Sequence, residues 1–200
     1  MGHVDLIEDD DSLRESMVSL LREAGFVVRS WASASEFLEA EPLPSPSVLI
    51  TDMRMPGMTG LELHERLKAM GCEKPLVYIS AESTPRQTIA AMKLGAHEFL
   101  IKPFSRAELM EAVQSALERD ATRTQRIRDQ LEIQKLIEDL APREKEVMDL
   151  MVKGFSNAEI VTELGISLPT AKQYKTQIMR KLGLQSLSEL MSMSQRMKPL

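Results

Sequence analysis

Four apolar runs in this chain end on residues that can do chemistry. Val48-Leu49-Ile50-Thr51 stops on Asp52, and Pro56, Gly57 and Gly60 break the chain before the next helical pattern. Val4 to Ile7 runs into Glu8-Asp9-Asp10-Asp11, Leu76 to Ile79 into Ser80-Ala81, and Phe99 to Ile101 into Lys102-Pro103. Any one of these endings has an ordinary explanation: Asp52 or Ser80 as a turn cap, Phe99 as core, Lys102 as a solvated charge. Together they describe a site. Carboxylates gathered at one place need a cation, and hard oxygen donors without His or Cys suit Mg²⁺. An ion that keeps some of its waters can also hold a phosphoryl oxygen.

The surrounding elements must bring those ends together. Strand and helix patterns alternate five times, which calls for an α/β fold: a doubly wound five-stranded parallel sheet with helices on both faces. In the flavodoxin-like order 2-1-3-4-5, strands one and three are neighbours, and Asp9 meets Asp52 at the switch point. Asp10 or Asp11 caps a first helix whose inward residues are Leu13, Met17, Leu20, Leu21 and Ala24. Ser33-Ala34-Ser35-Glu36 is a capping box for a second. A third turns Leu61, Leu63 and Leu67 inward, and a fourth, from about Pro85 to Leu94, packs through Ile89, Ala90 and Met92.

Composition divides the 200 residues in two. Residues 1–121 carry 12 Lys and Arg against 20 Asp and Glu, net −8, whereas residues 122–200 carry 13 against 10, net +3. From Leu168 onward only Glu189 opposes Lys172, Lys175, Arg180, Lys181, Arg196 and Lys198. An acidic front and a basic end imply different partners. Cys72 is the only cysteine, so an internal disulfide and a thiolate-rich zinc site are excluded. With no apolar run near the roughly 20 residues of a membrane helix and no leader before Val4, no membrane contact and a cytoplasmic location are expected.

Between Ser105 and Leu140 there is neither Gly nor Pro. Leu109, Val113, Ala116 and Leu117 form an apolar stripe that Arg119, Arg123, Arg126 and Arg128 interrupt. Ile127, Leu131, Ile133, Leu136, Ile137 and Leu140 resume it. This reads as one long helix, or as two with a frayed middle, and an irregular heptad leaves a coiled-coil seam open. Beyond it lie four short helices. One follows Pro142 and buries Val147, Leu150 and Met151; the next opens on the Ser156-Glu159 capping box and stops at Gly165. A basic helix capped by Ser167 runs to Leu182, and a last one begins at Ser186 or Ser188. Two helices about a Gly-containing turn, the second basic, suit a helix-turn-helix in the major groove. A protein-binding helical bundle is the other reading.

Residues 1 to about 120 resemble the receiver domain of bacterial two-component response regulators. By that resemblance Asp52 is the phosphoacceptor, and Glu8, Asp9, Asp52 and the backbone carbonyl of Arg54 bind Mg²⁺. Ser80 is the switch hydroxyl, Phe99 the aromatic switch, and Lys102 the lysine before a cis-prone Pro103. Glu8 stands where Asp is commoner. Arg54 and Glu82 flank the inferred pocket, and their pairing across it is expected to slow water attack on the acyl phosphate.

Residues 140 to about 195 resemble the LuxR-type DNA-binding domain of the NarL/FixJ response regulators. Leu140 to Glu144, Gly154 to Ile160, Leu164 to Ser167, Thr170 to Lys172 and Lys181 to Gly183 carry the match. Ala141 replaces a capping Thr, Ala171 a Val, and Tyr174 a common His. The resemblance puts Lys172, Gln173 and Thr176 against base edges and Lys175, Asn157 and Thr170 against phosphates.

These resemblances divide the chain into a receiver (1–120), a helical linker (121–139) and a helix-turn-helix domain (140–200). They imply a transcriptional response regulator that takes a phosphoryl group from a sensor histidine kinase. Phosphorylation would promote a homodimer through the fourth helix, fifth strand and start of the fifth helix, binding a roughly palindromic promoter site and working with RNA polymerase. Aspartyl-phosphate phosphatases also use a strand-end Asp but carry a second Asp two residues on, where this chain has Arg54, so turnover is not expected. A receiver that serves only as a protein-contact module on a constitutive DNA binder is the remaining alternative.

Overall fold

The computed structural model describes residues 2–81 and 84–196. Chain contacts divide into two compact units, Met1–Thr124 and Gln125–Leu200. In the first, β1 (His3–Ile7), α1 (Asp11–Glu23), β2 (Val27–Trp31), α2 (Ala34–Leu38), β3 (Ser47–Asp52), α3 (Gly60–Ala69), β4 (Leu76–Ser80), α4 (Pro85–Leu94) and β5 (Glu98–Ile101) alternate, and α5 (Arg106–Glu138) follows. Every strand pairing is parallel, in the order β2-β1-β3-β4-β5.

A parallel sheet covered on both faces needs strands that are apolar on both sides, and β3 is buried at every position. Val48 and Ile50 face one core with Met17, Val18, Leu21, Leu109, Val113 and Ala116. Leu49 faces the other with Leu63, Leu67, Tyr78 and Ala91. Truncating a fully buried Leu such as Leu63 to Ala costs about 2–5 kcal/mol.

Several local expectations are corrected. Val18, not Ala24, completes the inward face of α1, because Ala24 is the exposed C-cap. Only half of the Ser33–Glu36 box forms: Ser33 accepts from the Glu36 N–H, while the Glu36 carboxylate accepts from Ala32 N. In α4, the Thr84–Gln87 box and Gly95 set the helix ends, and that phase turns Ala91 onto the sheet. Ile89 and Met92 are instead 55% and 48% exposed.

Helix α5 is uninterrupted over its 33 residues, which decides the one-helix reading. Its apolar stripe is not continuous. Leu109, Val113, Ala116 and Leu117 belong to the first core, Ile133 and Ile137 pack on the second unit's core, and Ile127, Leu131 and Leu136 are exposed. Within the first unit Asp120 is fully buried, accepting from Ser45 Oγ (2.6 Å), Ser47 N (2.9 Å) and Arg123 (2.8 Å). Burial opposes its charge, but these donors outweigh burial and hold the carboxyl below its ordinary range.

The second unit contains α6 (Pro142–Val152), α7 (Asn157–Leu164), α8 (Leu168–Lys181) and α9 (Leu187–Arg196) around Leu140, Val147, Met151, Ile160, Ala171, Ile178 and Leu190. Gly165, at φ 62°, ends α7 in the left-handed conformation that lets the chain turn sharply into α8. The Ser156–Glu159 box forms in full, Ser167 caps α8, and Ser186 accepts from Glu189 N at the start of α9. Among the described residues no helix is long and apolar enough to cross a membrane.

Candidate functional site

Register aligns the strand ends. Ile7 lies opposite Thr51, Asp52 opposite Ile79, and Ser80 opposite Ile101, so Glu8, Asp52, Ser80 and Lys102 leave the sheet along one edge. Lys102 Nζ stands 2.5 Å from Asp52 Oδ2 and 2.9 Å from Glu8 Oε2. Both carboxylates are nearly sealed from solvent, at 7% and 2% exposure. Asp52 Oδ1 accepts from Arg54 N at 2.7 Å, so the Asp52 carboxylate is held from both sides.

One ammonium between two carboxylates leaves the pocket short of positive charge. Burial pushes the Glu8 carboxyl above its usual range despite the Lys102 hydrogen bond. Burial also opposes the charge on Lys102, but its bonds to Asp52 and Glu8 outweigh burial and hold its pKa above the ordinary lysine value.

The four consecutive acids resolve into four different roles. Glu8 pairs with Lys102, Asp10 caps α1 by accepting from Leu13 N, and Asp11 pairs with Arg14. Asp9 is exposed, and its side chain makes no hydrogen bond or ion pair among the described residues. No three carboxylate, imidazole or thiolate groups among those residues already converge as a metal site. The donor set fits Mg²⁺: two buried carboxylates share a single ammonium, and the adjoining residue carries a carboxylate without a partner among the described residues.

Ser80 is buried, and its carbonyl accepts from Lys102 N at 2.8 Å. The Lys102–Pro103 peptide is cis. Phe99 is half-buried, with its ring 6.0 Å from that of Tyr78. The Tyr78 hydroxyl lies 3.0 Å from His64 Nδ1 and 3.4 Å from the Gly60 carbonyl. Arg54 is exposed, and its expected partner Glu82 lies outside the described residues.

A second set of groups lies on α7 and α8. Lys172, Gln173 and Thr176 are exposed on α8, the Thr176 hydroxyl donating back to the Lys172 carbonyl. Lys175 donates to Asn157 Oδ1 at 2.8 Å, joining the start of α7 to α8, and the Thr170 and Ser167 hydroxyls lie 2.8 Å apart. Ala141 has no side-chain cap to offer. The buried Glu144 instead reaches back to Ala141 N (2.7 Å) and takes Lys181 (2.6 Å), bonds that hold its carboxyl below the usual range.

Two family patterns match: the response regulator receiver domain over residues 4–114, and the luxR family of bacterial regulatory proteins over residues 138–194. The chain belongs to the NarL/FixJ family of response regulators. It is 37% identical over 190 residues to Nodulation protein W of Bradyrhizobium diazoefficiens, covering 95% of this chain and 84% of that protein. Its identity to the transcriptional regulatory protein FixJ of Azorhizobium caulinodans is also 37%, covering 96% and 90%. Among solved structures, the response regulator StyR superposes with a TM-score of 0.85 at 39% identity over 98% of both chains. As in other response regulators of this family, a receiver domain precedes a LuxR-type DNA-binding domain, and the protein regulates transcription.

Four residues around the receiver pocket carry little or no local mark of their role in the sequence. Gly60 was legible only as a helix breaker, though a Cβ there would stand 2.4 Å from the Asp52 carbonyl oxygen. Arg14 has a visible signal in its three-residue spacing from Asp11. His64 and Tyr78 have none, because their pairing depends on how α3 lies across β4.

Proposed function

We propose that a sensor histidine kinase phosphorylates Asp52, and that the modified regulator dimerises and binds promoter DNA. The observation that carries this reading is the Lys102 ammonium between two buried carboxylates, Asp52 and Glu8. One Asp52 oxygen attacks the phosphorus of a phosphohistidine; the P–N bond breaks, the P–O bond of an acyl phosphate forms, and the kinase imidazole leaves. Mg²⁺, held by Glu8, Asp9, Asp52 and the Arg54 carbonyl, would supply positive charge toward the transferring phosphoryl oxygens. Lys102 exchanges the Asp52 carboxylate for the new phosphoryl oxygens.

Ser80 then donates to the phosphoryl group, which leaves room beside Ala81 for Phe99 to turn inward toward Tyr78. Phe99 is thus a two-state element biased by one added group. The dimer surface is α4, β5 and the start of α5, a reading supported by the exposure of Ile89, Met92 and Ile101 at 55%, 48% and 58%.

In the domain from 140 to 200, Lys172, Gln173 and Thr176 read base edges, while Lys175, Asn157 and Thr170 hold phosphates. The receiver occupies 1–120 and the linker 121–139. The protein works in the cytoplasm with RNA polymerase on a roughly palindromic site. It takes up and loses its own phosphoryl group without turning over a substrate. Footprinting with and without phosphorylation tests this: protection should strengthen on phosphorylation, and equal protection in both states favours the constitutive binder.

A further inference from the structure

Arg14 is tied to the acidic loop at both ends. Its Nη1 donates to the Glu8 carbonyl at 2.6 Å, and its Nη2 pairs with the Asp11 carboxylate. Only 17% of the side chain is exposed. The guanidinium therefore spans from the residue just after β1 to the first residue of α1, with Asp9 and Asp10 enclosed in the loop it closes. Inside that loop Asp10 N donates to Glu8 Oε1 at 3.4 Å, and the Asp10 carboxylate caps α1. Within this loop Asp9 alone has no side-chain partner among the described residues, so its placement depends on the backbone held on either side.

We propose that Arg14 is a positioning residue for phosphotransfer: by clamping the Glu8 carbonyl to Asp11, it holds Asp9 and Glu8 where the metal ion binds. This rests on the reading of the pocket as a Mg²⁺ site. A planar guanidinium makes two directed bonds at once, which an ammonium cannot reproduce. Groups that orient metal ligands without touching the ion change affinity by about 10–100-fold when removed.

The sign of the effect separates this role from simple charge. Arg14 is a cation beside a cation site, so Coulomb repulsion alone predicts that removing it tightens Mg²⁺ binding. Loss of the clamp predicts weaker binding.

The test uses the full chain, Arg14→Ala, Arg14→Lys and Asp11→Asn. Mg²⁺ is titrated by the thermal stabilisation it confers, and independently by the rate of phosphorylation from acetyl phosphate. The midpoint for Arg14→Ala should rise about ten-fold in both assays. Its rate at saturating Mg²⁺ should stay near that of the unaltered chain. Arg14→Lys should recover part of the shift, and Asp11→Asn, which leaves the Asp10 cap in place, should reproduce a smaller one. An unchanged or lowered midpoint in Arg14→Ala overturns the clamp. If Arg14→Ala does not fold, an unshifted midpoint in Asp11→Asn does the same. Absence of any Mg²⁺ effect on the unaltered chain instead overturns the metal-site reading itself.

Discussion

Gly60 packs so closely on the main chain of Asp52 that a Cβ added there would stand 2.4 Å from the Asp52 carbonyl oxygen. The atom it meets is backbone at the end of the central strand, so it cannot rotate away. Gly60 also donates its N–H to the Met53 carbonyl, closing the loop that follows Asp52. Gly60→Ala should destabilise the receiver by about 1–3 kcal/mol in urea unfolding. It should also slow phosphorylation from acetyl phosphate, because the displaced strand end carries Asp52. A variant with unaltered stability and rate would show that the contact is relieved without moving Asp52.

His64 and Tyr78 form a buried polar pair beneath Phe99. Burial holds the His64 imidazole below its ordinary pKa of 6.5. An unfolded His64 therefore binds a proton at a higher pH than the folded one, and stability falls as pH drops through and below about 6.5. His97 is shifted the same way, first by burial and then by Arg119. His64→Gln should flatten the slope of stability between pH 7.5 and about 5.5, leaving the share from His97. Tyr78→Phe strands the imidazole nitrogen and should cost about 1–3 kcal/mol. Chemical denaturation across that pH range checks both.

Asp120 fastens α5 to the start of β3 and the loop before it through Ser47 and Ser45. Asp120→Ala removes an acceptor from three donors at a fully buried position and should cost about 3 kcal/mol. Because the folded carboxyl sits below its ordinary range, its contribution is complete above the unfolded value and is lost as pH falls through the folded one. Urea midpoints at neutral pH and in acid should therefore converge between the variant and the unaltered chain. A constant gap would assign the cost to packing alone.

In the proposed DNA complex Lys175 exchanges Asn157 for a phosphate, whereas Gln173 is already exposed. Lys175→Ala should weaken binding alike across sequences and lower the salt slope by about one per protomer. Gln173→Ala should cost about 1–3 kcal/mol on the preferred site and relax selectivity at one base position. Mobility shifts at several salt concentrations, with matched and mismatched sites, distinguish the two effects.

The α/β alternation was legible because buried parallel strands such as Val48 to Thr51 are nearly continuous apolar runs bounded by Gly and Pro. Strand order and register then followed from topology, and they bring Asp52, Glu8 and Lys102 together as strand-end residues. Helix phase was less legible. In α4, Ile89, Ala90, Ala91 and Met92 are all apolar, and only the cap geometry selects Ala91 as the buried one. Along α5 a single apolar stripe serves two cores and leaves Ile127, Leu131 and Leu136 exposed, a division that periodicity alone does not carry. The Asp120 and His64–Tyr78 pairings join residues far apart in the chain, and no local spacing marks them.

The most direct test of the whole account is intact-mass measurement of this protein and its Asp52→Asn variant after incubation with acetyl phosphate and Mg²⁺. The unaltered chain should gain the mass of a single phosphoryl group, mapped to Asp52 and removed by hydroxylamine, and the variant should gain none. An unlabelled chain, or equal labelling of both proteins, would contradict it.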